Sequence, residues 1–197
     1  QGSQKKGMGA DLFDEFPDYE RVADAVLGYS IRSLCLEDSN RELNKTQFTQ
    51  PALFVVNALT YLKRIKDGNS KPDRLVGHSL GEFDALFAAG VFDFETGLTL
   101  VKARGALMSQ AKDGGMAAVM GCEIDKVVRI LKDNNLDSID VANFNSPEQT
   151  VLSGPRDEIL KAAPFFEREE AMYFPLNVSA AFHSRYMEKV KDEFGRY

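Results

Sequence analysis

Gly77-His78-Ser79-Leu80-Gly81 matches the pattern G-x-S-x-G. The apolar run Arg74-Leu75-Val76 precedes it, and Leu80, Phe83 and Phe87 follow at helical spacing. The pattern therefore lies between a predicted buried strand and a predicted helix. Glycines on both sides relieve the crowding of a sharp strand-to-helix turn, and the start of the helix points N–H groups at whatever binds there. A glycine-rich turn with a capping serine is the plainer alternative. The strand-to-helix setting favours a nucleophile, Ser79.

A nucleophilic serine needs a base, and the chain has only two histidines, His78 and His183. His78 adjoins the serine on the same turn and would point away from it, which suits support or pocket lining. His183, in Ala180-Ala181-Phe182-His183-Ser184, comes later in the chain, the Ser-before-His order of nucleophile-elbow enzymes. A capping histidine at a helix start is its alternative role.

Arg104 is the third candidate. Its helical neighbours Leu100, Val101, Leu107 and Met108 are all apolar. A guanidinium on an apolar face costs several kcal/mol, on the order of 3–5, unless a carboxylate answers it. That carboxylate could belong to the protein, or the side chain could snorkel out. The sharper expectation is an anion receptor whose carboxylate belongs to a substrate, held bidentately by the planar fork.

Several elements must position these residues. Thr49-Gln50-Pro51 carries helix-start signals, and Ala52 to Leu62 is apolar except at Asn57 and Thr60, which predicts a buried helix. Gly90 ends the helix after Ser79, and Asp93 opens another that runs to about Ala111. After Asp113-Gly114-Gly115 the rhythm changes. Met116–Met120, Ile139–Ala142 and Thr150–Leu152 read as strands, and Met172, Phe174, Leu176 and Val178 alternate as a fourth. Helices around Ile124–Leu131 and Arg156–Glu169 complete a β-α-β-β-α-β order, the ferredoxin-like pattern. It occupies residues 114–178, set into a larger α/β body of residues 1–113 and 179–197. Met187, Val190 and Phe194 form one apolar stripe on a last helix, with nothing after it to cover them. The spacing therefore predicts a fragment, or a chain short at its termini.

Composition narrows the classes. With 24 Lys+Arg against 30 Asp+Glu the 197-residue chain carries a net charge of -6, and no basic cluster offsets it, which argues against nucleic acid. No apolar run is long enough to span a membrane, and no leader is visible. Cys35 and Cys122 lie far apart without a CxxC pair, which points to a reducing, cytoplasmic setting. Two histidines also exclude a His-rich metal site.

Gln1-Gly2-Ser3-Gln4 with Gly7-Met8-Gly9, Thr49-Gln50-Pro51-Ala52, Gly77-His78-Ser79-Leu80-Gly81-Glu82, Arg104 and Ala181-Phe182-His183 together resemble the acyltransferase family. That family includes malonyl-CoA:acyl carrier protein transacylases and the acyltransferases of polyketide synthases. The match runs in order over nearly the whole chain. The stretch from His78 through Phe83 to Phe94-Glu95-Thr96-Gly97 is similar to free-standing acyltransferases that serve polyketide synthases lacking their own.

The resemblance implies an α/β fold, with a hydrolase-like body built on a parallel sheet and the inserted ferredoxin-like subdomain. It implies Ser79 as nucleophile, His183 as base, and the backbone N–H groups of Leu80 and Gln1 as the oxyanion hole. Arg104 would grip a malonyl carboxylate, with Phe182 and His78 lining the substrate site. Phe before the histidine goes with malonyl in this family, whereas Ser goes with methylmalonyl; a methyl group in a tight pocket is worth about 1–3 kcal/mol. No bound cofactor is implied. Malonyl-CoA is the donor, and the acceptor is the phosphopantetheine of an acyl carrier protein in polyketide or fatty acid synthesis, with polyketide synthase modules as further partners. The resemblance also implies a strand ahead of Gln1 and a C-terminal part that orients the histidine, neither within this sequence.

Three alternatives remain open at this level. A related hydrolase that clears carrier proteins would keep Ser79 and His183 without needing Arg104. An α/β-hydrolase esterase would want an acidic third member, for which Asp113 or Asp157 could serve, but no HGGG-type oxyanion motif is present. A carrier-binding scaffold would keep the serine site without its chemistry.

Overall fold

The computed structural model describes residues 2–197. Contacts divide it into two compact units, one running through Leu107 together with Tyr197 and the other from Met108 to Arg196.

The first unit is helical. Helix α1, Pro17–Leu27, starts on a proline at its first turn and ends at Gly28 in the left-handed region, φ 83°. Helix α2, Ile31–Leu36, is capped by Ser30, whose side chain accepts from the Ser33 N–H. Helix α3, Thr46–Lys66, is the long central element, with Ala52–Val55, Ala58 and Leu59 buried. It begins earlier than Thr49-Gln50-Pro51 suggests. Thr49 is inside it, its hydroxyl donating to the Leu43 carbonyl at 2.6 Å, and Pro51 is accommodated as an internal residue. Pro51 has no N–H to give the Gln47 carbonyl. Gly105 passes there, at a point where an added Cβ would lie 3.3 Å from the Gln47 Cα.

Helix α4, Gly81–Ala88, follows the serine turn, and Gly90 ends that stretch at φ 77°. Helix α5, Phe94–Gln110, is capped by Asp93, whose Oδ1 accepts from the Thr96 N–H at 2.8 Å. Phe13, Phe54, Leu59, Leu98 and Val101 form the fully buried centre of this unit. Phe54 stacks on Phe94 at 5.8 Å, with Phe87 edge-on to both.

The expected buried strand at Arg74-Leu75-Val76 is not there. The segment has no regular structure and is exposed, Val76 to 94%, and it belongs to no sheet. A segment becomes a strand only by pairing, and the first unit has no strand among the described residues to pair with.

The second unit is built on strands β1 (Gly114–Met120), β2 (Asp140–Ser146), β3 (Gln149–Pro155) and β4 (Met172–Pro175), in the order β2-β3-β1-β4 and antiparallel at every pairing. Helices α6, Ile124–Asp133, and α7, Arg156–Glu167, connect β1 to β2 and β3 to β4. Their residues Val127, Ile130, Leu131, Ile159 and Phe166 share one core with Ala117, Val119 and Leu152 of the sheet. This is the expected β-α-β-β-α-β order, running from Gly114 to Pro175. Strand β4 stops at Pro175, short of the Leu176 and Val178 that continue the expected alternation. Met172 and Phe174 are 52% and 48% exposed, whereas Tyr173 is buried, stacked on Phe166 at 5.3 Å and donating its hydroxyl to the Ile159 carbonyl. Alternation shows which side chains share a face, not which face meets the helices.

Beyond β4, Ala180 and Phe182 are buried in a second cluster with Met108, Met116 and Val151. Gly114 makes their passage over β1 possible, since a Cβ there would sit 2.0 Å from the Ala181 nitrogen. A 3-10 turn, Arg185–Met187, and helix α8, Glu188–Phe194, close the chain, with Met187 and Val190 against the same cluster.

Candidate active site

Ser79 lies at φ 55°, in the left-handed region that a residue with a Cβ occupies only at a cost of about 1–3 kcal/mol. The turn is held by the Gly81 N–H donating to the His78 carbonyl at 3.0 Å and the Glu82 N–H donating to the Ser79 carbonyl at 3.2 Å. Gly77 is obligatory. Any Cβ on it would lie 1.9 Å from the Gly81 carbonyl oxygen. Gly81 is different, because a Cβ there would meet nothing within 4 Å. Only the first of the two glycines therefore relieves a close contact within the described residues. Leu80 follows in helical conformation, with its side chain buried, and its N–H donates to no acceptor among the described residues. His78 is exposed on the turn. Gln1, the other expected oxyanion donor, lies outside the described residues.

Arg104 of α5 reaches this turn. Its Nη2 donates to Ser79 Oγ at 3.3 Å and its Nη1 donates to Gln50 Oε1 at 2.6 Å. The guanidinium carbon lies 5.8 Å from the centre of the Phe83 ring, within cation–π range. Burial lowers its pKa from the ordinary arginine value, with the charge of Glu82 acting the other way. Among the described residues no carboxylate forms an ion pair with it. Among the described residues Arg104 is thus a cation beside Ser79, held by a neutral partner and paired with no anion.

Gln50 was not among the residues expected at the site, although it is 1% exposed. The signal was a long amide in the first turns of a helix whose next residues are apolar. A glutamine orients a guanidinium without neutralising it.

In the second unit, His183 is exposed and lies at φ 58°. The backbone on either side is fixed. Phe182 before it is buried to 5%, so its ring is part of the core of this unit. Ser184 after it donates to the Ala181 carbonyl and caps the following turn by accepting from the Tyr186 N–H. Arg185 is clamped on Asp140, with its N–H and Nε each donating to the carboxylate at 2.8 Å, and Tyr186 donates to the Ser138 carbonyl at 2.9 Å. This clamp holds the Asp140 carboxyl below its usual range. Nothing in the spacing of Asp140 and Arg185 announces it. Asp113 stands just before β1 at φ 61° and Asp157 in the first turn of α7.

The remaining features bound the chemistry. Among the described residues no cluster of His, Cys, Asp and Glu could hold a metal, and no helix is long and apolar enough to cross a membrane. Cys35 and Cys122 are both buried free thiols, Cys35 pushed up to about 12 chiefly by burial, so neither is an activated nucleophile.

The model of the acyl transferase domain matches residues 1–196. The chain belongs to this family. It is 60% identical over 199 residues to the polyketide biosynthesis malonyl CoA-acyl carrier protein transacylase PksC of Bacillus subtilis (strain 168), covering 100% of this chain and 69% of that protein. It is 57% identical, with the same coverage, to the corresponding transacylase BaeC of Bacillus velezensis. The acyl transferase fold is equally clear in solved structures. A malonyl CoA-acyl carrier protein transacylase from Burkholderia pseudomallei superposes with a TM-score of 0.97 at 54% identity, over 100% of this chain and 68% of the other. A malonyl-transacylase solved with its type II PKS acyl-carrier protein gives a TM-score of 0.92 at 34% identity, over 100% and 66%. The chain thus spans about two thirds of the length of these acyl transferases.

Proposed function

We propose that this acyl transferase moves a malonyl group from malonyl-CoA to the phosphopantetheine thiol of an acyl carrier protein in polyketide biosynthesis. The observation that carries the reading is Arg104, a half-buried guanidinium 3.3 Å from Ser79 Oγ with no carboxylate paired to it among the described residues. The family's acyl chemistry needs a serine. A free cation beside that serine selects an acyl group with its own carboxylate.

In the first half-reaction His183 takes the Ser79 hydroxyl proton as Oγ attacks the thioester carbonyl. The oxyanion forms against the N–H groups of Leu80 and Gln1, each worth about 3–4 kcal/mol in comparable sites. The tetrahedral intermediate collapses by breaking the C–S bond, and the CoA thiolate leaves with the proton from His183. Malonyl-Ser79 remains, its carboxylate against Arg104. In the second half-reaction His183 deprotonates the phosphopantetheine thiol, which attacks the ester, and Ser79 recovers the proton. Two substrates using one acyl-enzyme give ping-pong kinetics.

His78 and Phe182 border the acyl group in this reading. Phe182 acts from a fixed position, since its ring is buried in the core of its unit. Residues 1–113 and 179–197 carry the catalytic groups and residues 114–178 form the small subdomain. The protein needs no resident cofactor or metal, and it works in the cytoplasm with carrier proteins and polyketide synthase modules as partners.

Intact-protein mass after brief exposure to malonyl-CoA tests this. The expected adduct is one malonyl group, absent from Ser79→Ala and discharged by an added holo carrier protein. An adduct lost to water faster than to carrier would identify the hydrolase of the same family instead.

A further inference from the structure

Asp84 has no part in the chemistry above, yet it stands in the first turn of α4, the helix that begins at the serine turn. Its Oδ2 accepts from Asn57 Nδ2 of α3 at 2.8 Å. Its other oxygen, Oδ1, is buried and has no hydrogen-bond partner among the described residues. A carboxylate with one oxygen dry and unbonded is costly, whereas the neutral acid avoids burying a charge. Burial accordingly moves Asp84 up to about 7, with the Asn57 bond acting in the other direction. The α4 N-terminus also favours the ionised form, but that effect is about 0.3–1 kcal/mol, smaller than the burial of an unpaired charge.

Burial is the larger cause of that shift and the Asn57 bond the smaller. The charged groups on its own helix and on the neighbouring segments are Glu82 on α4, Glu95, Lys102 and Arg104 on α5, and those of the 67–78 loop. On α3, Tyr61 donates to the Ala88 carbonyl at 3.2 Å, Lys63 and Lys66 are paired with Glu15, and Arg64 is exposed.

The strain at Ser79 makes this contact matter. A serine at φ 55° stays there only if its surroundings over-determine it. Two hydrogen bonds cross from α3 to α4, Asn57 to Asp84 near the start of α4 and Tyr61 to Ala88 at its end. We propose that Asp84, as a neutral carboxylic acid, is a positioning residue for Ser79: with Asn57 it pins the first turn of α4 to α3, and loss of its proton leaves an unsolvated charge at Oδ1 whose hydration loosens that contact, at a cost the stronger Asn57 bond to a carboxylate does not cover. The positioning role rests on Ser79 being the nucleophile; the protonation does not.

Two measurements on the intact chain separate these parts. Carbon-13 NMR of aspartate-labelled protein should show one carboxyl titrating near neutrality, missing in Asp84→Asn. If every aspartate titrates in the ordinary acid range, the proposal fails. The second measurement is the rate of Ser79 labelling by a fluorophosphonate across neutral to alkaline pH, a probe that needs no acyl substrate. Wild type should lose rate on the alkaline side as Asp84 ionises. Asp84→Asn should match it in mild acid and lack the alkaline fall, and Asn57→Ala should be slower throughout by about five- to tenfold, the loss of one hydrogen bond. Wild-type profiles in both variants would overturn the positioning role. Failure of wild type to label at any pH would instead overturn the assignment of Ser79.

Discussion

Gln50 and Arg104 are joined by a 2.6 Å hydrogen bond between a buried side-chain amide and a guanidinium. The amide fixes one arm of the fork while leaving its full charge for a ligand. Gln50→Leu should therefore weaken malonyl loading by about 1.5–3 kcal/mol, roughly 10- to 150-fold in kcat/KM, the worth of a hydrogen bond to a charged group. Gln50→Glu should be worse, because it offers Arg104 a carboxylate inside the protein. Loading kinetics with malonyl-CoA check both, and a harmless Gln50→Glu would show that Arg104 is not held for a substrate anion.

The glycines of the serine turn separate sharply. Gly77→Ala places a Cβ 1.9 Å from backbone oxygen, so the turn has to open, and fluorophosphonate labelling of Ser79 should be lost. Gly81→Ala meets nothing, and alanine favours a helix over glycine by about 0.5–1 kcal/mol. It should keep labelling and hold or raise the thermal midpoint.

Asp140 should matter for turnover more than for binding. Removing its carboxylate in Asp140→Ala leaves Arg185 without its clamp beside His183, and kcat should fall by about tenfold, near 1.4 kcal/mol, with KM little changed. Asp140→Asn, which keeps the acceptor oxygen, should recover part of the loss. Steady-state kinetics of the three proteins decide it.

The two shifted aspartates give opposite pH trends in stability. Asp84 is raised to about 7, so its folded form is favoured in acid and that advantage is lost as pH rises through neutrality. Asp140 is lowered, so its contribution is present above the ordinary carboxylate pKa and is lost as pH falls through the lower folded value. Asp84→Asn should therefore raise the thermal midpoint more in mildly alkaline buffer than in mild acid, by a few degrees, about 2–6 °C for a chain of this size. An equal change at both pH values would contradict the assignment.

Local placements were more legible in the sequence than the surfaces around them. The Gly77–Gly81 pattern placed Ser79 on a turn, and the four apolar neighbours of Arg104 exposed a charge in need of a partner, because both are local relationships. The β-α-β-β-α-β order was legible for the same reason, through periodicity and turn residues. Arg74-Leu75-Val76 has the composition of a strand, but pairing is a property of two segments and composition describes one. The alternation of Met172 and Phe174 does not announce that Tyr173 between them buries its ring on Phe166 and satisfies its hydroxyl at Ile159, because those partners are remote in sequence. Asp84 and Asn57 were invisible as a pair, being on different helices with nothing unusual about either alone.

The central claim is that Arg104 receives the carboxylate of the acyl group carried by Ser79. The direct measurement is acyl-Ser79 formation by Arg104→Ala from malonyl-CoA and from acetyl-CoA, quantified by intact mass. Malonyl loading should fall by about 2–5 kcal/mol, on the order of 30- to several thousand-fold, while acetyl loading holds or rises. Malonyl loading that survives while acetyl loading falls would contradict the claim.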